Sequence, residues 1–285
     1  MASLRRLRLA FPKPSASVLI PLIAILYVTV LILLPALQVV AGAFAKGWQP
    51  FLEHFTSPDL LSAIRLTLLM AAIAVPANTI FGLAAATAIA RRQFPGKALL
   101  LSVIDLPFSI SPVVVGLMLV LLYSPTNGLF KNVVGSLGWK IIFSWPGMVL
   151  ATIIVTFPFM AREVIPLLEE EGWDQEEAAR TLGATNWQVF WKVTLPSVRW
   201  AVLYGLVLTT ARALGEFGAV AVVSGNIAGQ TQTLPLFVED SYKQYNTELA
   251  YGAALVLGGV GLVSLLLKMA VERLVGDLRE NEPMN

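Results

Sequence analysis

The 285-residue chain has no cysteine and a single histidine, His54. Without thiols there is neither a disulfide framework nor a thiolate metal site. One isolated histidine supports neither a zinc centre nor a Ser-His-Asp arrangement. Charge is scarce as well. Only 13% of residues are charged while 56% are hydrophobic, against about 25% charged in soluble domains. Such a surface cannot be solvated by water, so two soluble domains, disorder and a collagen-like chain are all excluded. A phosphate loop is also missing. The Gly96-Lys97 pair is followed by Ala98, whereas nucleotide phosphates are gripped by G-x-x-x-x-G-K-[ST]. A membrane hydrolase would need a nucleophile or metal constellation, and none is visible.

What is present is a set of long uncharged runs. Residues 14–45, 66–90, 141–161 and 249–267 carry no charge. Between Lys97 and Lys131 there is only Asp105, and between Trp200 and Val238 only Arg212 and Glu216. About 20 apolar residues cross a bilayer as a helix, and a backbone in hydrocarbon must satisfy its own polar groups. The runs predict an all-α integral membrane protein with six spans, near 18–44, 62–90, 99–123, 146–166, 198–223 and 249–271. Arg5, Arg6 and Arg8 before an apolar run could mimic a signal peptide. That run exceeds the roughly 7–15 residues of a signal core, so it reads as an uncleaved first span. The expected layout is a basic tail at 1–17, a membrane domain at 18–275 with its main loop at 162–197, and a second tail at 276–285.

Lys and Arg divide unequally between alternate loops. The end carrying both tails, the 91–97 loop and the 162–199 loop holds 14, and the other end holds four. By the positive-inside rule both termini are expected in the cytoplasm, which requires an even number of spans. Trp48, Trp139 and Trp145 flank expected spans, as interfacial anchors do. Pro107 and Pro112, with Ser109 and Ser111 between them, predict a broken helix that lines a cavity.

Residues 162–197 are the one polar stretch. An acidic run at 169–177 leads into Ala178-Ala179-Arg180-Thr181-Leu182, a helix stopped by Gly183. Thr185 and Gln188 have capping-box spacing. Trp187, Phe190, Trp191 and Leu195 then form an apolar stripe, and Pro196 is expected to end the second helix. Periodicity alone does not decide whether this face packs under the spans or receives a soluble partner.

Here the residues carry a resemblance. Glu177-Ala178-Ala179, three residues, Gly183, nine residues and Val193-Thr194-Leu195-Pro196 resemble the EAA signature of ABC importer permeases, with Val193 in place of isoleucine. The resemblance implies that Glu177, Ala178, Ala179, Gly183, Leu195 and Pro196 belong to a coupling loop that docks into an ATP-binding subunit. ATP and magnesium would then be bound by two such partner subunits and not by this chain, which would have no ATPase site of its own.

Arg212 and Glu216 lie inside the fifth expected span, where ionisable groups are costly and often mark a pathway. Four residues apart, they could equally neutralise each other. Gly215 and Gly218 would allow a bend or close packing. The string Ala211-Arg212-Ala213-Leu214-Gly215-Glu216-Phe217-Gly218-Ala219 resembles the fifth-span motif of permeases for sulfate, thiosulfate, molybdate and tungstate. Asp105 to Val114 and Pro158 to Pro166 are similar to the third and fourth spans of sulfate permeases. Val223-Ser224-Gly225-Asn226-Ile227 and Thr231-Gln232-Thr233-Leu234-Pro235-Leu236 resemble the W-type subunit of sulfate/thiosulfate pairs.

The resemblance implies an inner-membrane permease subunit that pairs with a T-type homologue. Its further partners would be two ATP-binding subunits, membrane lipid and a periplasmic sulfate-binding protein, with no role for nucleic acid. Ser109, Ser111, Arg212, Gly215, Glu216 and Gly218 are the expected pathway or gate residues, with Ser224 and Asn226 as further hydrogen-bonding candidates. Asp105 and Glu216 would repel a dianion, so the expectation is a low-affinity conduit, with selectivity held by the binding protein. A molybdate or tungstate permease is the alternative within the class. An ion-gradient-driven secondary transporter, using Asp105 and Glu216 as coupling carboxylates, is the alternative outside it.

Overall fold

The computed structural model describes residues 16–280. Most of the expected N-terminal tail and the last five residues lie outside that range. Every regular element among the described residues is a helix. In chain order these are α1 (Ala16–Ala43), α2 (Trp48–His54), α3 (Pro58–Ala90), α4 (Lys97–Ser109), α5 (Pro112–Tyr123), α6 (Lys131–Ser136) and α7 (Trp145–Glu171). They continue with α8 (Asp174–Thr181), α9 (Asn186–Val189), a π turn (Phe190–Thr194), α10 (Leu195–Ser197), α11 (Arg199–Leu214), α12 (Gly218–Ser224), α13 (Leu234–Lys243) and α14 (Thr247–Glu280).

Four helices are long and apolar enough to cross a membrane unbroken, namely α1, α3, α7 and α14, and the count reaches six if each of two bent pairs, α4 with α5 and the stretch Asn186–Ser197 with α11, is one span. Helix α1 exposes nearly every side chain from Leu19 to Leu37, as a helix surrounded by lipid would. Helix α3 starts cleanly. The Ser57 side chain accepts from the Leu60 N–H, Pro58 follows it, and Asp59 lies in the first turn, all favourable at the positive end of a helix.

Helix α7 is the central spine. It runs parallel to α3, where the Asn78 Nδ2 donates to the Ile153 carbonyl at 3.1 Å and to Thr156 Oγ1 at 2.6 Å. Met160 is fully buried between two glycines. A Cβ on Gly82 would meet Met160 at 2.8 Å, and one on Gly205 of α11 would meet it at 3.0 Å. Small residues thus let three helices close on one side chain. Helix α4 runs antiparallel to α7 in three rungs. Lys97 pairs with Glu169 at 2.8 Å, Asp105 with Arg162 at 3.0 Å, and the Phe108 ring meets Phe159 edge-on at 5.0 Å.

The third span is broken as the prolines predict. Helices α4 and α5 meet at 107°. Pro112 opens α5, and Ser111 before it takes an extended conformation (φ −58°, ψ 135°), because a proline disfavours helical geometry in its predecessor. The fifth span departs from the continuous helix expected over 198–223. Helix α11 ends at Leu214 and α12 starts at Gly218. The break is stabilised by side chains: the Glu216 Oε1 accepts the Ala219 N–H at 2.9 Å, while its Oε2 pairs with Arg212 at 2.7 Å. A cation in the last turn of α11 and a carboxylate opening α12 both suit the helix dipoles. A Cβ on Gly116 of α5 would meet the Ala219 carbonyl of α12 at 2.7 Å, so the two breaks pack against each other.

One buried ion pair joins the polar loop to the bundle. Arg91, just past α3, pairs with Glu176 of α8 at 2.9 Å, with the two side chains only 9% and 5% exposed. The same guanidinium donates to the carbonyls of Leu168 and Gly172, and Thr194 of the π turn donates to Glu176 at 2.9 Å. Removing one member of a buried pair costs about 3–5 kcal/mol, whereas a well-packed apolar replacement of both is often tolerated. Arg91→Ala and Glu176→Ala are therefore each expected to lower the stability of the detergent-solubilised protein by an amount of that order. Arg91→Met combined with Glu176→Leu should regain part of the loss, as read by thermal unfolding.

Candidate functional site

The two helix breaks leave a cavity of about 420 Å³ between them. Its wall runs from Pro107 to Pro112 and is completed by Val155 and Phe159 of α7 and by Arg212 of α11. Three of the expected pathway residues, Ser109, Ser111 and Arg212, therefore share one space. Both serines are exposed, and neither hydroxyl makes a hydrogen bond among the described residues. Arg212 is 31% exposed, while its partner Glu216 is fully enclosed. The cavity thus sees the guanidinium and not the carboxylate. Arg212 and Glu216 do form the expected pair, but it spans a helix break instead of lying on one helix face.

The remaining candidates are placed elsewhere. Gly218 sits against the start of α5, where a Cβ would meet Pro112 at 3.1 Å and Val113 N at 3.3 Å. It serves the packing of the two breaks and does not line the cavity. Gly215 has an ordinary φ of −94°, and a Cβ there would meet nothing nearer than the Ala211 carbonyl at 3.6 Å, so its backbone does not require glycine. Ser224 is buried and accepts the Asn226 N–H at 3.0 Å. Ser224 ends α12 and Asn226 lies in the turn after it, and neither lines the cavity.

The second candidate region is the loop after α7. Helix α8 ends in a Schellman turn: the Ala184 N–H donates to the Ala179 carbonyl and the Gly183 N–H to the Arg180 carbonyl. Gly183 takes a φ of +87°, which glycine adopts at little cost. The spacing of Ala178, Ala179 and Gly183 is thus the spacing of a helix end. A side chain on Gly183 would meet no atom within 4 Å, so the demand for glycine is conformational and not steric. Glu177 and Ala178 are exposed, and Leu182 at the tip is 88% exposed. The expected capping box forms in full between Thr185 and Gln188.

The apolar stripe is not the single helical face that its spacing suggests. The π turn over Phe190–Thr194 shifts the register. Trp187 and Trp191 stand 69% and 50% exposed, while Phe190 and Leu195 are half-buried and Val189 is buried. Nor does Pro196 end the helix. It lies in the first turn of α10, where its missing N–H is tolerated. The chain turns instead at Val198, and α11 leaves at 71°. Sequence reasoning also missed Arg91, Glu176 and Thr194. Glu176 lies within the acidic run, and nothing in the spacing distinguishes it from its exposed neighbours.

Residues 78–277 match the model of the family described as "Binding-protein-dependent transport system inner membrane component". The chain is 62% identical over 275 residues to the sulfate transport system permease protein CysW of Synechococcus elongatus, covering 95% of this chain and 96% of that protein. It is 47% identical to the CysW of Escherichia coli K12, over 85% and 83% of the two chains. It is 38% identical to that organism's sulfate transport system permease protein CysT, over 88% and 89%. Among solved structures, a chain of a bacterial alginate ABC transporter in complex with an alginate-bound periplasmic protein shares the fold. The TM-score is 0.73 at 18% identity, over 89% and 91% of the two chains. By its matched span, its all-helical architecture of four to six candidate spans and its extensive identity to these permeases, the chain belongs to the inner-membrane components of binding-protein-dependent transport systems.

Proposed function

We propose that this chain is one permease subunit of an ATP-driven importer of sulfate and thiosulfate, paired with a T-type sister. Its immediate support is the convergence of Arg212, Ser109 and Ser111 on one cavity between two broken spans. A guanidinium and hydroxyls suit a tetrahedral dianion, and the relatives at 47% and 62% identity are named as sulfate permeases. In this reading both termini and the loop after α7 face the cytoplasm. The exposed tip at Glu177, Ala178, Leu182 and Gly183 enters an ATP-binding subunit, one of two in the complex. Those subunits hold ATP and magnesium and drive the loop. A periplasmic binding protein delivers the anion to the far side. The two permease chains alternate between outward and inward openings, and the cavity holds the anion weakly in transit.

The reading is tested by sulfate uptake into vesicles containing the assembled complex. Arg212→Ala and Glu216→Ala should each reduce uptake at least tenfold. The double change of Arg212→Leu with Glu216→Gln should assemble with the partner subunits yet still transport poorly. Near-normal uptake in Arg212→Ala would remove the cavity from the pathway.

The loop assignment carries its own test. Gly183→Ala places a Cβ at a φ of +87°, a conformation that costs an ordinary residue about 1–2 kcal/mol. Gly183→Arg adds a bulky side chain at the docking tip. Gly183→Arg should abolish uptake and Gly183→Ala should weaken it, with both proteins remaining in the membrane. Full uptake in Gly183→Arg with the ATP-binding subunit still bound would refute the docking assignment.

The orientation is read separately. A reporter fused to the C-terminus should be active only in the cytoplasm, and periplasmic activity would reverse it.

A further inference from the structure

The cavity wall continues beyond the cavity. Val155 and Phe159 line it from α7, and Arg162 follows at the spacing that keeps one helix face. Three residues advance about 4.5 Å along the axis, towards the end that carries the coupling loop. On α4, Asp105 precedes the cavity-lining Phe108 by the same three residues in the same direction. The two meet: Arg162 Nε lies 3.0 Å from Asp105 Oδ1, and Nη2 donates to Oδ2 at 3.4 Å. The guanidinium also lies over the Phe108 ring, 4.9 Å from its centre, and Phe108 itself packs against Phe159. A second arginine is therefore held one turn inward of the first site, on the same wall.

This pair is not the sole fastener of α4 to α7. Lys97 and Glu169 already tie α4 to α7 at 2.8 Å. The Arg162 and Asp105 side chains are 57% and 40% exposed in this chain by itself, so the pair is accessible from outside the bundle. By contrast Arg91 and Glu176 are shut away from solvent. Ionisable groups within a span commonly mark a transport route.

We propose that Arg162 is a second anion-contacting residue, which receives the dianion from the cavity, and that Asp105 keeps this contact weak. The inference rests on the permease reading above. A guanidinium offers a planar fork that matches two oxygens of a sulfate. Asp105 occupies that fork in the absence of cargo, and Phe108 holds the guanidinium flat. The passing anion displaces a carboxylate with a single charge, and the carboxylate returns when the anion leaves. The exchange involves no bond making or breaking.

The test is the KM and maximal rate of sulfate uptake by the reconstituted complex, with subunit co-purification as the check on assembly. Arg162→Gln should lower the maximal rate at least tenfold in an assembled complex, and Arg162→Lys should recover part of it. Asp105→Asn leaves the guanidinium uncontested, so KM and maximal rate should both fall several-fold. The double change, Asp105→Asn with Arg162→Gln, should resemble Arg162→Gln alone. Two equally impaired single variants with a near-normal double would show that the pair only fastens the helices, and would overturn the proposal. Normal uptake in Arg162→Gln would do the same. Should Arg162→Gln not assemble, Asp105→Asn decides, and an unchanged KM refutes the idea. If the wild-type complex takes up no sulfate, the permease reading fails first and this inference falls with it.

Discussion

The guanidinium of Arg91 is the point on which the polar loop hangs. It closes the end of α3, donates to the buried carboxylate of Glu176 and donates to two carbonyls at the end of α7. The carboxylate in turn takes a hydrogen bond from Thr194. Two spans, helix α8 and the π turn thus meet at one charge pair. In a bundle whose helices pack through small residues and methyl groups, such a node is stiff. Neither charge can leave its partner without being stranded in a poorly hydrated place. Under the docking proposed above, a displacement of the exposed tip around Leu182 would reach α3 and α7 together through this node. Helix α7 is also a wall of the cavity. One rigid element connects the loop with the cavity, which is what mechanical coupling requires.

The broken spans solve a second problem. A helix interruption exposes backbone groups that hydrocarbon cannot satisfy. Here each break covers the other. Gly218 lies against Pro112 and Val113, Gly116 lies against Ala219, and the carboxylate of Glu216 takes an amide of α12. The geometry that satisfies the backbone also opens a space beside it, and that space holds Arg212 and the two serine hydroxyls. Glu216 serves both purposes at once. It caps one helix and balances the arginine that the cavity displays.

How much of this could be read from the residues differs from element to element. The expected spans follow from the gaps between charges, because bilayer thickness leaves little freedom in length. The break at Ile110 and Ser111 follows from two prolines, whose chemistry acts locally. Gly183 and the capping box at Thr185 are likewise local signals, and both are realised. The break between Leu214 and Gly218 has no proline to announce it. It exists because Glu216 and Gly218 find partners in another part of the chain. The Arg91–Glu176 pair joins residues 85 apart in sequence, and each looked like one charge among several near a span end. The π turn escapes periodicity because that method assumes a constant pitch. What depends on short-range stereochemistry was legible, and what depends on long-range partners was not.

In the proposed reading carboxylates sit along an anion path, and the same distinction explains how they can. Taken singly, Asp105 and Glu216 would repel a dianion, and from sequence they argue against a tight site. In the structure each is matched to an arginine, but the two pairs differ in what they show to the cavity. Glu216 is wholly enclosed and Arg212 is partly open, so that pair presents positive charge to the cavity. Asp105 and Arg162 are both open, so that pair presents a charge already contested. A path that moves from a displayed cation to a contested one binds its cargo less firmly as it goes inward. For a conduit fed by a separate binding protein, such a gradient favours release over capture. In the proposed reading the carboxylates then do not oppose transport: one shapes the entry site by hiding, and the other weakens the exit site by competing.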